Sequence, residues 1–233
     1  MRRIFALFTI CVLLAGVLVF PVRAESAASK MEIRATVTAE GDCLVSMNVL
    51  LRMESAQPQL KFPLPANAKG ITMNGANVSS TKVGTATLVD ISRITGSSVG
   101  EYSLMFEFTI PEAVKVAKVN DEYKLLLTLP LLCGFEYPVE KLTFVITMPD
   151  KLTKEDPIFN SIYRQASIAS DLDCLVDGNQ IIGSSKVTLN DHDGITMTMV
   201  VEEKMFPTVS TYVREGDPEL IPMIVFACLA MLY

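Results

Sequence analysis

Apolar and polar residues alternate along most of the interior of this chain, with the two-residue period of a β-strand that keeps one face dry. In MEIRATVTA, Met31, Ile33, Ala35, Val37 and Ala39 share one face while Glu32, Arg34, Thr36 and Thr38 take the other. Glu40, Gly41 and Asp42 supply turn chemistry. CLVSMNVLLRM then sets Cys43, Val45, Met47, Val49, Leu51 and Met53 on a second dry face, so the two runs predict a β-hairpin. The alternation returns from Tyr102 to Ile110, from Tyr123 to Leu129, from Leu142 to Met148 and from Ile195 to Val201. Shorter strands are predicted around Ile71 to Met73, Thr85 to Ile91, Cys174 to Val176, Gln180 to Ile182 and Lys186 to Leu189, with a tight turn at Asp177-Gly178. No interior stretch sustains a helical period. DPIFNSIYRQASIASDL, residues 156–172, is the one ambiguous window, with room for one or two helical turns.

Strands with one wet and one dry face must bury the dry one, which predicts an all-β fold of antiparallel β-sandwich (Ig-like) modules. About a dozen strands exceeds the seven of one such sandwich. The expected division is therefore two modules, 25–111 and 112–206, separated near PEAVKVAKVNDE, where Pro111 ends a strand and a charged, weakly patterned connector follows. A single larger sandwich is the alternative.

The two ends break the alternation. Arg2 and Arg3 precede an uncharged apolar stretch from Ile4 to Phe20, then Pro21 and the small-residue site ending at Ala24, the layout of a secretory signal peptide over 1–24 cleaved between Ala24 and Glu25. The linker expected over 207–219 carries Pro207, Gly216 and Pro218. An apolar run follows over 220–233, interrupted by Pro222. As a helix its 14 residues cover ~21 Å of a ~30 Å hydrocarbon core, so it is expected to be the first part of a transmembrane helix. Arg2 and Arg3 hold the N-terminus on the cytoplasmic side, which places the β region outside the cell membrane.

These ends account for much of a hydrophobic fraction of 50% and a mean hydropathy of +0.37. Loss of the leader takes the formal charge from −6 to −9, an acidity that argues against nucleic acid or an anionic lipid surface as the partner of the exported part. The expected partners are the membrane, through the last segment, and an unidentified protein or glycan at the cell envelope.

Residues 123–152, followed by an interrupted loop and then LVDGNQIIGSSKVTLNDHDGITMTMVVEEKMF, resemble the bacterial predicted-membrane-protein family called Domain of Unknown Function 2207. The resemblance rests on Tyr137-Pro138-Val139 leading into a strand that ends in Met148-Pro149, on the Asp177-Gly178-Asn179 hairpin and on the GITMTM strand, over about Glu101 to Phe206. It implies a signal peptide, an extracytoplasmic β region and transmembrane segments. It implies no catalytic residue.

Candidate chemistry is sparse. His192 is the one histidine, and Asp191, His192 and Asp193 could offer a metal oxygen and nitrogen ligands, although adjacent residues seldom converge on one ion and a polar turn is the favoured reading. Asp171, Asp173 and Asp177 lack the register of a calcium loop. Met148, Met197 and Met199 lie on dry faces, where packing accounts for them. Cys43, Cys133 and Cys174 remain in the exported part; Cys43 suits a buried inert thiol, and Cys133 with Cys174 is the pair that could form a disulfide. No nucleophile elbow is present and no cofactor is implied. The sequence therefore points to a non-enzymatic interaction or structural module, with an exported metal- or carboxylate-dependent hydrolase as the competing expectation.

Overall fold

The computed structural model describes residues 26–96, 99–119, 122–152, 156–161 and 166–209. The signal peptide, its Ala24–Glu25 site, the 220–233 apolar run and the linker beyond residue 209 lie outside the described residues. Among those described, no helix is long and apolar enough to cross a membrane.

The protein is all-β. The first two alternating runs form β1 (Ala27–Val37) and β2 (Cys43–Met53), paired antiparallel from Ala27 opposite Arg52 to Val37 opposite Cys43. Every dry-face residue named for β2 is buried, as are Met31, Ile33, Ala35 and Val37 of β1. Ala39 is exposed in the turn, two residues beyond Val37, where pairing ends. The strands that follow are β3 (Lys61–Pro65), β4 (Lys69–Met73), β5 (Ala76–Asn77), β6 (Ser80–Val83), β7 (Ala86–Asp90), β8 (Gly100–Ile110), β9 (Val114–Val119) and β10 (Glu122–Cys133). Then come β11 (Leu142–Thr147), β12 (Ile158–Ser161), β13 (Ala166–Ser167), β14 (Leu172–Asp177), β15 (Gln180–Ser185) and β16 (Gly194–Val201).

Three sheets result. The largest has the order β14-β15-β11-β1-β2-β8-β4-β5, the second β13-β12-β16-β10-β9 and the third β3-β7-β6. Among the described strands only β1 with β11 pairs in parallel; Arg34 stands opposite Val145 there. The large sheet thus combines strands from both sides of Pro111, the expected module boundary.

Aromatic rings join the sheets. Phe62 of β3 stacks on Phe106 of β8 with centroids 4.7 Å apart and planes at 20°, and meets Phe135 at 4.9 Å. Phe144 of β11 meets Phe159 of β12 at 5.6 Å. Offset and tilted ring pairs each add about 0.5–1.5 kcal/mol beyond their buried area. One continuous hydrophobic cluster runs from Ala28 to Phe206 and includes the dry faces of β1, β2, β8, β10, β11 and β16.

Two expectations are corrected and one ambiguity is resolved. The connector after Pro111 is strand β9, hydrogen-bonded to β10; Val114 is buried while Lys115 and Lys118 face water, the charged pattern of an edge strand. The described residues of the ambiguous 156–172 window form β12, β13 and a 3₁₀ turn (Ala169–Asp171), since Phe159 gains burial by pairing with β16. Lys186 to Leu189 is reduced to one bridge between Leu189 and Val139. β3 carries Pro63 and Pro65, which an edge strand tolerates although they lack an N–H donor.

Candidate functional site

The inner faces of the strands are consumed by the core, so surface chemistry lies on the outer face of the eight-stranded sheet. Strand register builds an unbroken row across it: Leu175, Ile182, Val145, Arg34, Ser46, Glu107, Thr72 and Asn77, one from each strand in spatial order. The row changes character as it goes. Its β14-β15-β11 end is apolar, with Leu175 63% and Ile182 37% exposed. The middle carries Arg34 and Glu107 on either side of Ser46.

Two shallow grooves open on this face. One, of about 400 Å³, runs over Val145, Cys174, Leu175 and Ile182. The other, of about 410 Å³, has Arg34 and Thr36 on one wall, Leu44 and Ser46 at its floor, and Thr72 and Glu107 on the other wall. Leu44 is 52% exposed there. Among the described residues Arg34 has no ion-pair partner within 4 Å, and its charge helps hold the Glu32 carboxyl below its usual range, after the larger effect of the Lys30 contact at 2.6 Å. The Glu107 carboxylate accepts only a long hydrogen bond, 3.5 Å, from the Thr72 hydroxyl.

Of the residues singled out from sequence, Cys174 borders the first groove and the other site candidates lie elsewhere. Asp191, His192 and Asp193 form a turn before β16. The His192 backbone, at φ +61°, donates to the Phe135 carbonyl at 2.6 Å, and the buried Asp193 carboxylate accepts the Asn190 N–H at 3.1 Å. The His192 ring meets Asp191 at 3.2 Å with both side chains more than half exposed. No cluster of three metal-ligating side chains is formed among the described residues. Met148, Met197 and Met199 are buried in the core.

The Cys133–Cys174 disulfide is not formed. Cys133 ends β10 in the five-stranded sheet, whereas Cys174 is exposed in β14 at the edge of the large one, and all three described cysteines are free thiols. Burial pushes the Cys43 and Cys133 thiols up to about 12. Cys174 is raised too, by burial of its sulfur and then by the charge of Asp156.

Arg34, Ser46 and Glu107 had no signal of their own in the sequence. Each is one polar member of an alternating run, and only the order β1-β2-β8 puts them side by side.

The fold and this face define an all-β protein with an open, mixed-character sheet surface. No family model and no curated protein matches the chain. Among solved structures it has a faint likeness to native yeast LTA4 hydrolase, with a TM-score of 0.45 and 13% identity over 75% of this chain and 29% of that one. An M1 zinc metallopeptidase from Deinococcus radiodurans bound to a Tyr-Ser-Ala substrate gives a TM-score of 0.37 and 10% identity over 74% of this chain and 42% of that one. These scores are too low to carry a reading of fold or activity.

Proposed function

We propose that this chain is a membrane-anchored extracytoplasmic β protein whose outer sheet face serves as an interaction surface at the cell envelope. The observation that carries the binding role is the row from Leu175 to Asn77: a wide open face that mixes exposed apolar side chains with uncommitted charge, as recognition surfaces do. The three-part N-terminal pattern and the apolar run over 220–233 support export and anchoring. The resemblance to Domain of Unknown Function 2207 supports the same layout.

The described strands are proposed to be one sandwich-like module, with the eight-stranded sheet as one layer and the five- and three-stranded sheets as the other. The Phe144–Phe159 and Phe62–Phe106 contacts and the continuous core support that arrangement.

The test uses the full chain in intact cells. A photo-crosslinking residue at Ser46 is expected to trap a specific neighbour on illumination, while the same residue at the buried Met47 traps none. Failure at Ser46 would remove the binding role.

A further inference from the structure

We infer that the partner of the outer face is a second copy of this chain, seated face to face about a two-fold axis that runs along β2. This rests on the reading of that face as an interaction surface and adds its occupant.

The argument is one of self-complementarity. In an isologous contact each patch meets its own copy, so residues on the axis face themselves and residues at equal distances on either side of it exchange places. The outer residues of β2 are Leu44, Ser46, Asn48, Leu50 and, next to its last position, Arg52, whose guanidinium is paired with Glu140 at 2.6 Å. The first four are uncharged, so each tolerates its own copy: Leu44 and Leu50 gain apolar contact, and Ser46 and Asn48 can both donate and accept hydrogen bonds, while the Arg52 charge at the strand end is offset within each chain by Glu140.

The flanking strands complete it. Arg34 and Glu107 pair with the same residue, Ser46, from opposite sides, so each stands one interstrand spacing, ~4.8 Å, from the axis. Turning one copy over about β2 lays the Arg34 of each over the Glu107 of the other. Two symmetric ion pairs form from side chains that lack an ion pair in the single chain. Thr36 and Thr109, both opposite Leu44, are brought together in the same way. The ~30° rotation between stacked sheets displaces groups this close to the axis only slightly.

The available area is sufficient. Strands β1, β2 and β8 each have 11 residues. With their shorter neighbours β11 and β4, of 6 and 5 residues, they offer a face of roughly 700 Å², close to the ~800 Å² per partner of a standard stable interface.

The test uses the full chain in native membranes. Cys11, Cys174 and Cys228 are replaced by Ser, and a single cysteine is placed either on the axis by Ser46→Cys or at the far sheet edge by Leu175→Cys. Facing sheets lie ~10 Å apart, so a bis-maleimide of that reach is expected to link Ser46→Cys to its copy, whereas two Leu175→Cys positions are ~38 Å apart and should not react together. Arg34→Glu or Glu107→Arg alone should weaken self-association by at least about tenfold, and the double charge exchange should restore it. A Ser46→Cys variant that does not link, equal linking at both positions, or a double exchange that does not restore association would overturn the inference. If Ser46 traps a different molecule and no second copy, the self-association fails while the face remains an interaction surface. If it traps neither, both readings fail.

Discussion

The Phe144 ring lies flat over Gly183, its cross-strand neighbour in the β11–β15 pair, so closely that a Cβ built on Gly183 would sit 2.7 Å from both Cε atoms. Phe144 is fully buried and touches Phe159 of the other layer, so it has nowhere to retreat. Gly183→Ala should therefore cost about 1–3 kcal/mol in denaturant unfolding through overpacking. Ser184→Ala, one residue along on the outer face, should stay within ~0.5 kcal/mol.

Gly41 is constrained twice. Its φ of +87° disfavours a side chain, and a Cβ there would lie 3.0 Å from the Val114 carbonyl oxygen and 3.0 Å from Val209 Cγ2. Gly41→Ala should destabilise by about 1–2 kcal/mol and loosen the segment that ends at Val209. Limited proteolysis near residue 205, compared with Gly84→Ala where the added Cβ meets open space, checks the second effect.

The thiols should sort by exposure and by pH. Of the three described cysteines, only Cys174 should react quickly with a membrane-impermeant maleimide in intact cells; labelling only after lysis would place the β region inside. Cys43 and Cys133 ionise near 9.0 when unfolded and near 12 when folded. Between those values the unfolded state binds fewer protons, so stability falls as pH rises above 9. Cys43→Ala should flatten that slope in alkaline unfolding curves, whatever it does to stability at neutral pH.

His192 and Asp193 should behave as parts of a turn. His192→Gly relieves a positive φ and should leave stability within about 1 kcal/mol of the parent, whereas Asp193→Ala removes the buried carboxylate that accepts the Asn190 N–H and should cost about 1–2 kcal/mol. Added Zn²⁺ should shift the melting temperature of neither protein. A zinc-dependent rise that His192→Gly abolishes would restore the metal reading.

The dry faces of β1, β2, β8, β11 and β16 were legible because a two-residue period writes burial directly into the sequence: Met31 and Ile33, or Met197 and Met199, identify themselves. Strand β9 was not, because VKVAKV on an exposed edge has too little burial to produce a clear alternation. Neither was β12, where four residues are too few to show a period and Phe159 alone draws the segment onto β16.

The sequence by itself determined the class of fold, the β1–β2 hairpin, and the fate of Cys43 as a buried thiol, since each depends on neighbours close in the chain. Only the tertiary structure decided which strands share a sheet. It brought β11 beside β1 across more than a hundred residues, put Cys174 and Cys133 in different sheets, and set Arg34 and Glu107 on either side of Ser46. The reason is physical: alternation states which face of a strand is dry, but every dry face can be buried by many partners, and the choice among them rests on packing such as Phe144 over Gly183 that no local pattern encodes.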